Sequence, residues 1–256
     1  MVDSRSSLVV LSAGRWKPSH YALRQAFADV IAACGVLPDD SSACYVRNDS
    51  PWPVPKARLQ VSLLHLGGSS LTASWLTPVA EFETAIPSVQ GTPAGAEQSG
   101  LSWFCADGTR AMPCPPFAEV LQGHGCAADG ADCLIQLEVS CAGVPCAENL
   151  VALAPPKELR IQATEVTATV TNKTAANATA TIVVTSSTAV AAWVVLTSSA
   201  HGRFSEQAFF VRPGAPRSIA FVPFEYVLEE GRGEATLAEL EDSLRVESLW
   251  SVVAAM

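Results

Sequence analysis

Trp193-Val-Val-Leu196, a short Ser/Ala break, and then His201-Gly-Arg-Phe-Ser-Glu-Gln-Ala-Phe-Phe210 form the stretch that decides the fold. An apolar strand runs into a glycine turn carrying one arginine, and a second strand opens on aromatics. Outward from this stretch, strand-like runs recur over 159–170, 180–185, 190–196, 209–211, 218–222 and 244–249. Short runs punctuated by turn residues at about ten-residue intervals are the signature of a β-sandwich. The spacing predicts a seven- or eight-stranded sandwich over 159–253, with Trp193 and Phe221 buried. Thr169-Val-Thr-Asn-Lys-Thr-Ala-Ala-Asn177 reads as a strand ending in a hairpin turn, 229–234 as a loop, and 236–242 as a short helix or linker.

Ala154-Pro-Pro156 marks a domain boundary, and the chain before it is also mainly β. Ala57-Arg-Leu-Gln-Val-Ser-Leu63 and Leu134-Ile-Gln-Leu-Glu-Val139 alternate as half-buried strands do. Residues 87–100, rich in Gly, Pro, Ala and Ser, read as a long surface loop, and 117–121 as one or two helical turns. Near the start, Pro18-Ser19 followed by Leu23, Ala26, Phe27, Val30, Ile31 and Cys34 predicts one amphipathic helix that stops at Gly35.

Composition bounds the function classes. The 256 residues are 49% hydrophobic and only 16% charged, enough to bury a real core in one large or two medium domains. A net charge of -9 without any Lys/Arg run excludes nucleic acid, which calls for a clustered basic face. Val190-Ala-Ala-Trp-Val-Val-Leu196 is too short to cross a bilayer, so no membrane partner is expected. The apolar Leu8-Val-Val-Leu11 is too brief for a signal peptide. Yet the eight cysteines fall as close neighbours: Cys34/Cys44, Cys105/Cys114, Cys126/Cys133 and Cys141/Cys146. Asn172-Lys-Thr and Asn177-Ala-Thr are glycosylation acceptors. Disulfides and sequons belong to the secretory route, which implies that the natural N-terminus lies further upstream. The competing reading is a cytosolic protein with buried free thiols. Cys126 and Cys133 are expected to be bridged, or at least to lie with Cα atoms under about 7 Å apart.

Several segments resemble β-mannosidases of glycoside hydrolase family 2. The likeness is strongest over 149–253: Asn149-Leu-Val-Ala-Leu-Ala-Pro-Pro-Lys-Glu-Leu159, then Ala192-Trp-Val-Val-Leu196, Gly202-Arg-Phe-Ser205, residues 217–224 and Ser243-Leu-Arg-Val-Glu-Ser-Leu249. Together these resemble the link into the family's final immunoglobulin-like domain and that domain itself. The family tends to continue Gly-Arg-Phe-Ser with Asp-Asn-Gly, where this chain has Glu206-Gln-Ala208. Ser6-Ser-Leu8 and Gly14-Arg-Trp-Lys17 with His20-Tyr21 resemble the approach to the last helix of the catalytic (β/α)₈ barrel, although Val9 stands where the family has a glutamate. Residues 44–66 and 126–139 resemble the small β-domain between, and 69–100 shows no likeness. The resemblance implies a mainly β chain of two immunoglobulin-like β-sandwich domains preceded by one isolated helix left from the barrel. Its parts would be 1–40 (barrel end), 41–154 (small β-sandwich domain) and 155–256 (C-terminal immunoglobulin-like domain).

The chemistry expected of this chain is little. Glycoside hydrolysis needs two carboxylates facing each other across a sugar. The family places them at barrel strand ends, the acid/base after an asparagine, and this sequence has no Asn-Glu dipeptide; Glu148-Asn149 is the reverse. Glu81/Glu83 and Glu229/Glu230 read as solvated surface. No Gly-x-Ser-x-Gly elbow occurs, and His20, His65, His124 and His201 have no evident triad partners; His65 reads as a core or edge residue of its strand. His124 with Cys126, Cys133, Cys141 and Cys146 offers soft ligands, but spacings of seven, eight and five miss the CxxC knuckle of structural zinc, so disulfides or free thiols are the favoured reading. Arg203 is read as pairing with a carboxylate or capping turn carbonyls, with Phe204 plugging the sandwich. No catalytic residue, metal ligand or cofactor is therefore assigned.

What remains is the expectation of a C-terminal, non-catalytic portion of a retaining β-mannosidase, the exo-enzyme that removes terminal β-D-mannose from glycans. Its partner would be the catalytic barrel of the parent chain, with glycan met only through that enzyme, in a lysosomal or secreted setting. A reading of a different class is a free-standing immunoglobulin-like carbohydrate-binding or adhesion module.

Overall fold

The computed structural model describes residues 17–36, 41–68, 76–86, 101–107 and 114–254. The reading of 87–100 as a loop lies outside them. The chain forms two compact units, one gathering Met1–Arg24 with Ile161–Met256, the other Gln25–Arg160.

In the Gln25–Arg160 unit, one sheet holds β1 (Val30–Val36), β2 (Ser42–Asn48) and β5 (Leu101–Phe104) in the order β1-β2-β5. The other holds β3 (Val54–His65), β4 (Leu76–Ile86), β6 (Cys133–Cys141) and β7 (Val144–Ala152) in the order β4-β3-β6-β7. All the pairings are antiparallel. The alternation read in the sequence is what faces β3 and β6 to a common core. Ala57, Leu59, Val61 and Leu63 from β3, and Ile135, Leu137 and Val139 from β6, are all buried. Across the sandwich they meet Ala32, Val46 and Phe104 of the first sheet. Helix α2 (Phe117–Gly123) adds Phe117, Val120 and Leu121 to the same core.

The second unit has a four-stranded sheet, β11 (Gly202–Phe204), β13 (Arg217–Pro223), β9 (Thr179–Ser186) and β8 (Val166–Thr174), in that order. Facing it is a three-stranded sheet in the order β12 (Phe209–Val211), β10 (Ala191–Thr197) and β14 (Arg245–Glu247). The seven strands meet the expectation for 159–253, and a four-plus-three division is that of constant-type immunoglobulin domains. Ile182, Val184, Val194, Leu196, Ile219 and Phe221 fill the space between. Helices α3 (Glu225–Glu229) and α4 (Gly233–Ser243) bridge β13 to β14, and α5 (Leu249–Ala254) closes the described chain.

Two expectations need correction. The helix read from Pro18 to Cys34 ends early: α1 is Pro18–Ala26, and Val30–Val36 is strand β1. The i, i+3, i+4 pattern continued by coincidence through Val30 and Ile31, whose β-branched side chains favour the extended chain. Pairing with β2 then decides the conformation. Secondly, Trp193 is half-buried rather than buried. It sits at φ 49°, at a bulge between Ala191 and Val194, and its ring tilts against Phe210 at 5.0 Å. An inserted residue re-aims a strand side chain, so Val194 takes the core place and Trp193 does not. Phe221, 1% exposed, is buried as expected.

Candidate functional site

The glycine turn that opened the sequence reading is a packed corner. Phe204 is buried edge-on to Phe221, with ring centroids 5.7 Å apart, so it does plug the sandwich. An added Cβ on Gly202 would overlap the Phe221 ring, which leaves glycine as the residue that fits. Gln207 locks the approach from β10: its Oε1 accepts the Leu196 N–H at 2.8 Å and its Nε2 donates to the Leu196 carbonyl at 2.7 Å. From α1 the Tyr21 hydroxyl donates to the Phe204 carbonyl at 2.8 Å, and the Arg24 guanidinium donates to the Ser205 carbonyl at 2.8 Å. Burial raises the Tyr21 phenol above its ordinary pKa, against the pull of Arg24 and Arg203. A shallow cleft of about 160 Å³ lies here, lined mostly by backbone and apolar atoms, with Tyr21, Arg203 and Gln207 among its polar groups. Its lining holds no carboxylate, histidine or cysteine beside the Tyr21, Thr197 and Ser198 hydroxyls.

The acidic pairs considered from sequence do not converge. Glu81 lies on β4 and takes the Arg58 guanidinium in an exposed ion pair. Glu229 ends α3, and Glu230 follows it and pairs with Arg232 at 3.3 Å.

All four neighbouring cysteine pairs are bridged, and no cysteine among the described residues is free. Cys34 and Cys44 face each other directly in the β1–β2 register. Cys105–Cys114 and Cys141–Cys146 tie short excursions from β5 and between β6 and β7. Cys126–Cys133, with Cα atoms 6.0 Å apart, closes the turn that leads into β6.

The last bridge has company that sequence reasoning did not assign. Register sets His65 at the end of β3 opposite Cys133 at the start of β6. Side chains of directly opposed residues share a face, so the imidazole meets the sulfurs inside the core. Its Nδ1 is 3.3 Å from Cys133 Sγ and 3.7 Å from Cys126 Sγ, and its Nε2 is 2.8 Å from Thr77 Oγ1. A disulfide sulfur carries no proton, so Nδ1–H donates to sulfur and Nε2 accepts the Thr77 hydroxyl. Burial pushes His65 below the usual imidazole pKa; Asp132 pulls the other way and His124 adds to the depression. Asp132 itself accepts the Ala127 N–H at 2.9 Å, which holds the 126–133 turn. Gly130 at φ 66° completes that turn where a Cβ would lie 2.9 Å from Leu153 Cβ. Of the soft ligands weighed from sequence, only Cys126 and Cys133 join this cluster, and Cys141 and Cys146 bind each other. The only signal for His65 was its place at the end of an alternating strand. Its partner lay 68 residues away.

Both sequons sit on the β8–β9 hairpin. Asn172 is exposed at φ 46°, where the β8–β9 register slips, and Asn177 is exposed in a single 3₁₀ turn. The sequon hydroxyl of Thr179 donates to Asn177 Oδ1 at 2.8 Å.

Set beside known proteins, residues 160–252 match the mannosidase-family model described as an Ig-fold domain. By sequence the chain matches no curated protein. By structure it is similar to the crystal structure of a β-D-mannosidase from Dictyoglomus thermophilum, with a TM-score of 0.60 at 15% identity over 94% of this chain. It is also similar to an exo-chitosanase from Amycolatopsis orientalis, with a TM-score of 0.51 at 13% identity, again over 94% of this chain. The chain spans 24% and 28% of those two proteins' lengths. At such identities the likeness establishes the fold: a mainly β chain whose last part is an Ig-fold domain of the mannosidase type.

Proposed function

We propose that this chain is the C-terminal, non-catalytic portion of a β-mannosidase, an exo-glycosidase acting on terminal β-D-mannose. The observation that carries the reading is the match of 160–252 to the mannosidase Ig-fold model, joined to a fold likeness that runs through the rest of the chain. Glu138 and Glu148, the carboxylates that strand register sets opposite each other, are exposed, which fits a supporting role beside a catalytic barrel, the natural partner of the two β-units. The domain limits 1–40, 41–154 and 155–256 belong to the same proposal, with β1 (Val30–Val36) counted in the small β-domain whose sheet it joins.

The parent enzyme would be secreted or lysosomal. Four disulfides suit an oxidising route, and Asn172 and Asn177 would carry N-glycans on their exposed hairpin. Made in a glycosylating host, the chain should lose mass on treatment with a peptide:N-glycosidase, and N172Q/N177Q should show no such loss. An unglycosylated wild-type chain from that host would remove this part of the reading.

The decisive test is the gene itself. In-frame sequence upstream of Met1 encoding a barrel with an Asn-Glu motif is the expected result. An upstream stop codon with no barrel would turn the reading to a free-standing immunoglobulin-like module.

A further inference from the structure

We propose that the Cys126–Cys133 bridge and His65 form a latent, redox-gated site for a thiophilic divalent cation, with zinc as its natural ion. Three donors of the right chemistry, two cysteine sulfurs and an imidazole, lie within 4.8 Å of one another and are all buried. In the tetrahedral sites zinc prefers, bonds of about 2.0 Å to nitrogen and 2.3 Å to sulfur put those two ligand atoms about 3.5 Å apart. The His65 Nδ1 distances to the two sulfurs, 3.3 and 3.7 Å, straddle that value before any ion is bound. The ring is also held as a ligand should be. Thr77 stands 2.8 Å from the far nitrogen, the outer partner that fixes ring orientation and tautomer in metal-binding histidines.

Reduction opens the site. A dithiol reductant gives up two electrons and two protons: the Cys126–Cys133 S–S bond breaks, each sulfur takes one proton, and the reductant closes its own disulfide. Zn²⁺ then displaces both thiol protons to solvent and binds two thiolates and His65 Nδ1; the Nδ1 proton passes to solvent and Nε2 takes one up, so that Nε2–H donates to Thr77 Oγ1, whose hydroxyl proton turns away. The resulting centre has no net charge, which matters because an uncompensated ion in a core is expensive. While the bridge is intact, both sulfurs are spent and the cluster holds no cation.

The test uses the full chain, reduced under nitrogen with dithiothreitol, freed of reductant and titrated with Zn²⁺ or Co²⁺. Wild type should bind one more tight ion than C126S/C133S, and Co²⁺ should give the thiolate charge-transfer band of a sulfur-ligated tetrahedral ion. H65A should bind that ion about 100-fold or more weakly, and T77V about 10-fold weakly, the usual size of an outer-partner effect. The other six cysteines can hold zinc elsewhere, so the difference between wild type and C126S/C133S is the quantity read. Thermal melting keeps the test decisive if reduction loosens the fold, because an ion bound only by the folded chain raises Tm. Equal zinc binding by wild type and C126S/C133S, unchanged affinity in H65A, or a reduced chain whose folding zinc does not restore would each overturn the proposal.

Discussion

At the scale of single residues, two side chains set measurable behaviour. His65 is neutral in the core, its pKa held below the ordinary imidazole value mainly by burial. The unfolded chain therefore takes up a proton near pH 6.5 that the folded chain refuses. His65's neutral burial costs nothing above that pH, and stability falls as pH drops below it toward the depressed folded value. Denaturant midpoints measured between pH 7.5 and 5 should decline in wild type and decline less in H65Q; equal slopes would show that His65 does not titrate as argued. Gly202 is the second case. Its Cβ would overlap the Phe221 ring, and forcing a methyl into a filled core costs about 1–3 kcal/mol. G202A should lower the urea midpoint accordingly, and G202A/F221L should recover part of the loss.

Among elements, legibility followed the range of the forces. Strands β3 and β6 could be read from alternation because Ala57, Leu59, Val61 and Leu63, and Ile135, Leu137 and Val139, point to one core, although residues 61–65 and 133–137 are buried on both faces, and β12 from three residues of Phe-Phe-Val. Strand β1 could not, since Val30 and Ile31 satisfy a helical pattern until β2 comes to pair with them. The Trp193 bulge was hidden for a similar reason: an unpaired residue changes which face a side chain takes, and the composition of a strand does not record that. The Cys126–Cys133 bridge was legible because its partners are seven residues apart, whereas His65 joins them only through strand register. The β1–β2 bridge offers a check on energetics. A ten-residue separation between Cys34 and Cys44 corresponds to about 2.7 kcal/mol of denatured-state restriction in the chain-entropy model. C34S/C44S should lose a stability of that order in urea denaturation, and a loss below about 1 kcal/mol would mean that the strand pairing already supplies the constraint.

For the whole molecule, the uneven placing of the bridges matters most. All four lie between Cys34 and Cys146, inside the Gln25–Arg160 unit, while the immunoglobulin-like unit has a core of its own and no cysteine. Calorimetry should therefore resolve two transitions, of which a reductant lowers one and leaves the other in place; a uniform downward shift would mean that the units melt together. Activity belongs to this scale too. A retaining glycosidase holds its two carboxylates about 5 Å apart across a bound sugar, whereas Glu81/Glu83, Glu229/Glu230 and the register-opposed Glu138 and Glu148 are all exposed, so the purified chain should turn over no aryl β-mannoside above buffer. Turnover abolished by one Glu substitution would refute the non-catalytic reading. The bridges also have a mechanical meaning. The longest spans ten residues and the shortest five, and an extended chain gains about 3.4 Å per residue. Drawn out by its ends in an optical trap, the oxidised protein would surrender nearly all of its contour length, its crosslinks hiding only small rings. These disulfides are rivets in individual seams: each would carry the tension across its own seam and shield only the five to ten residues it encloses.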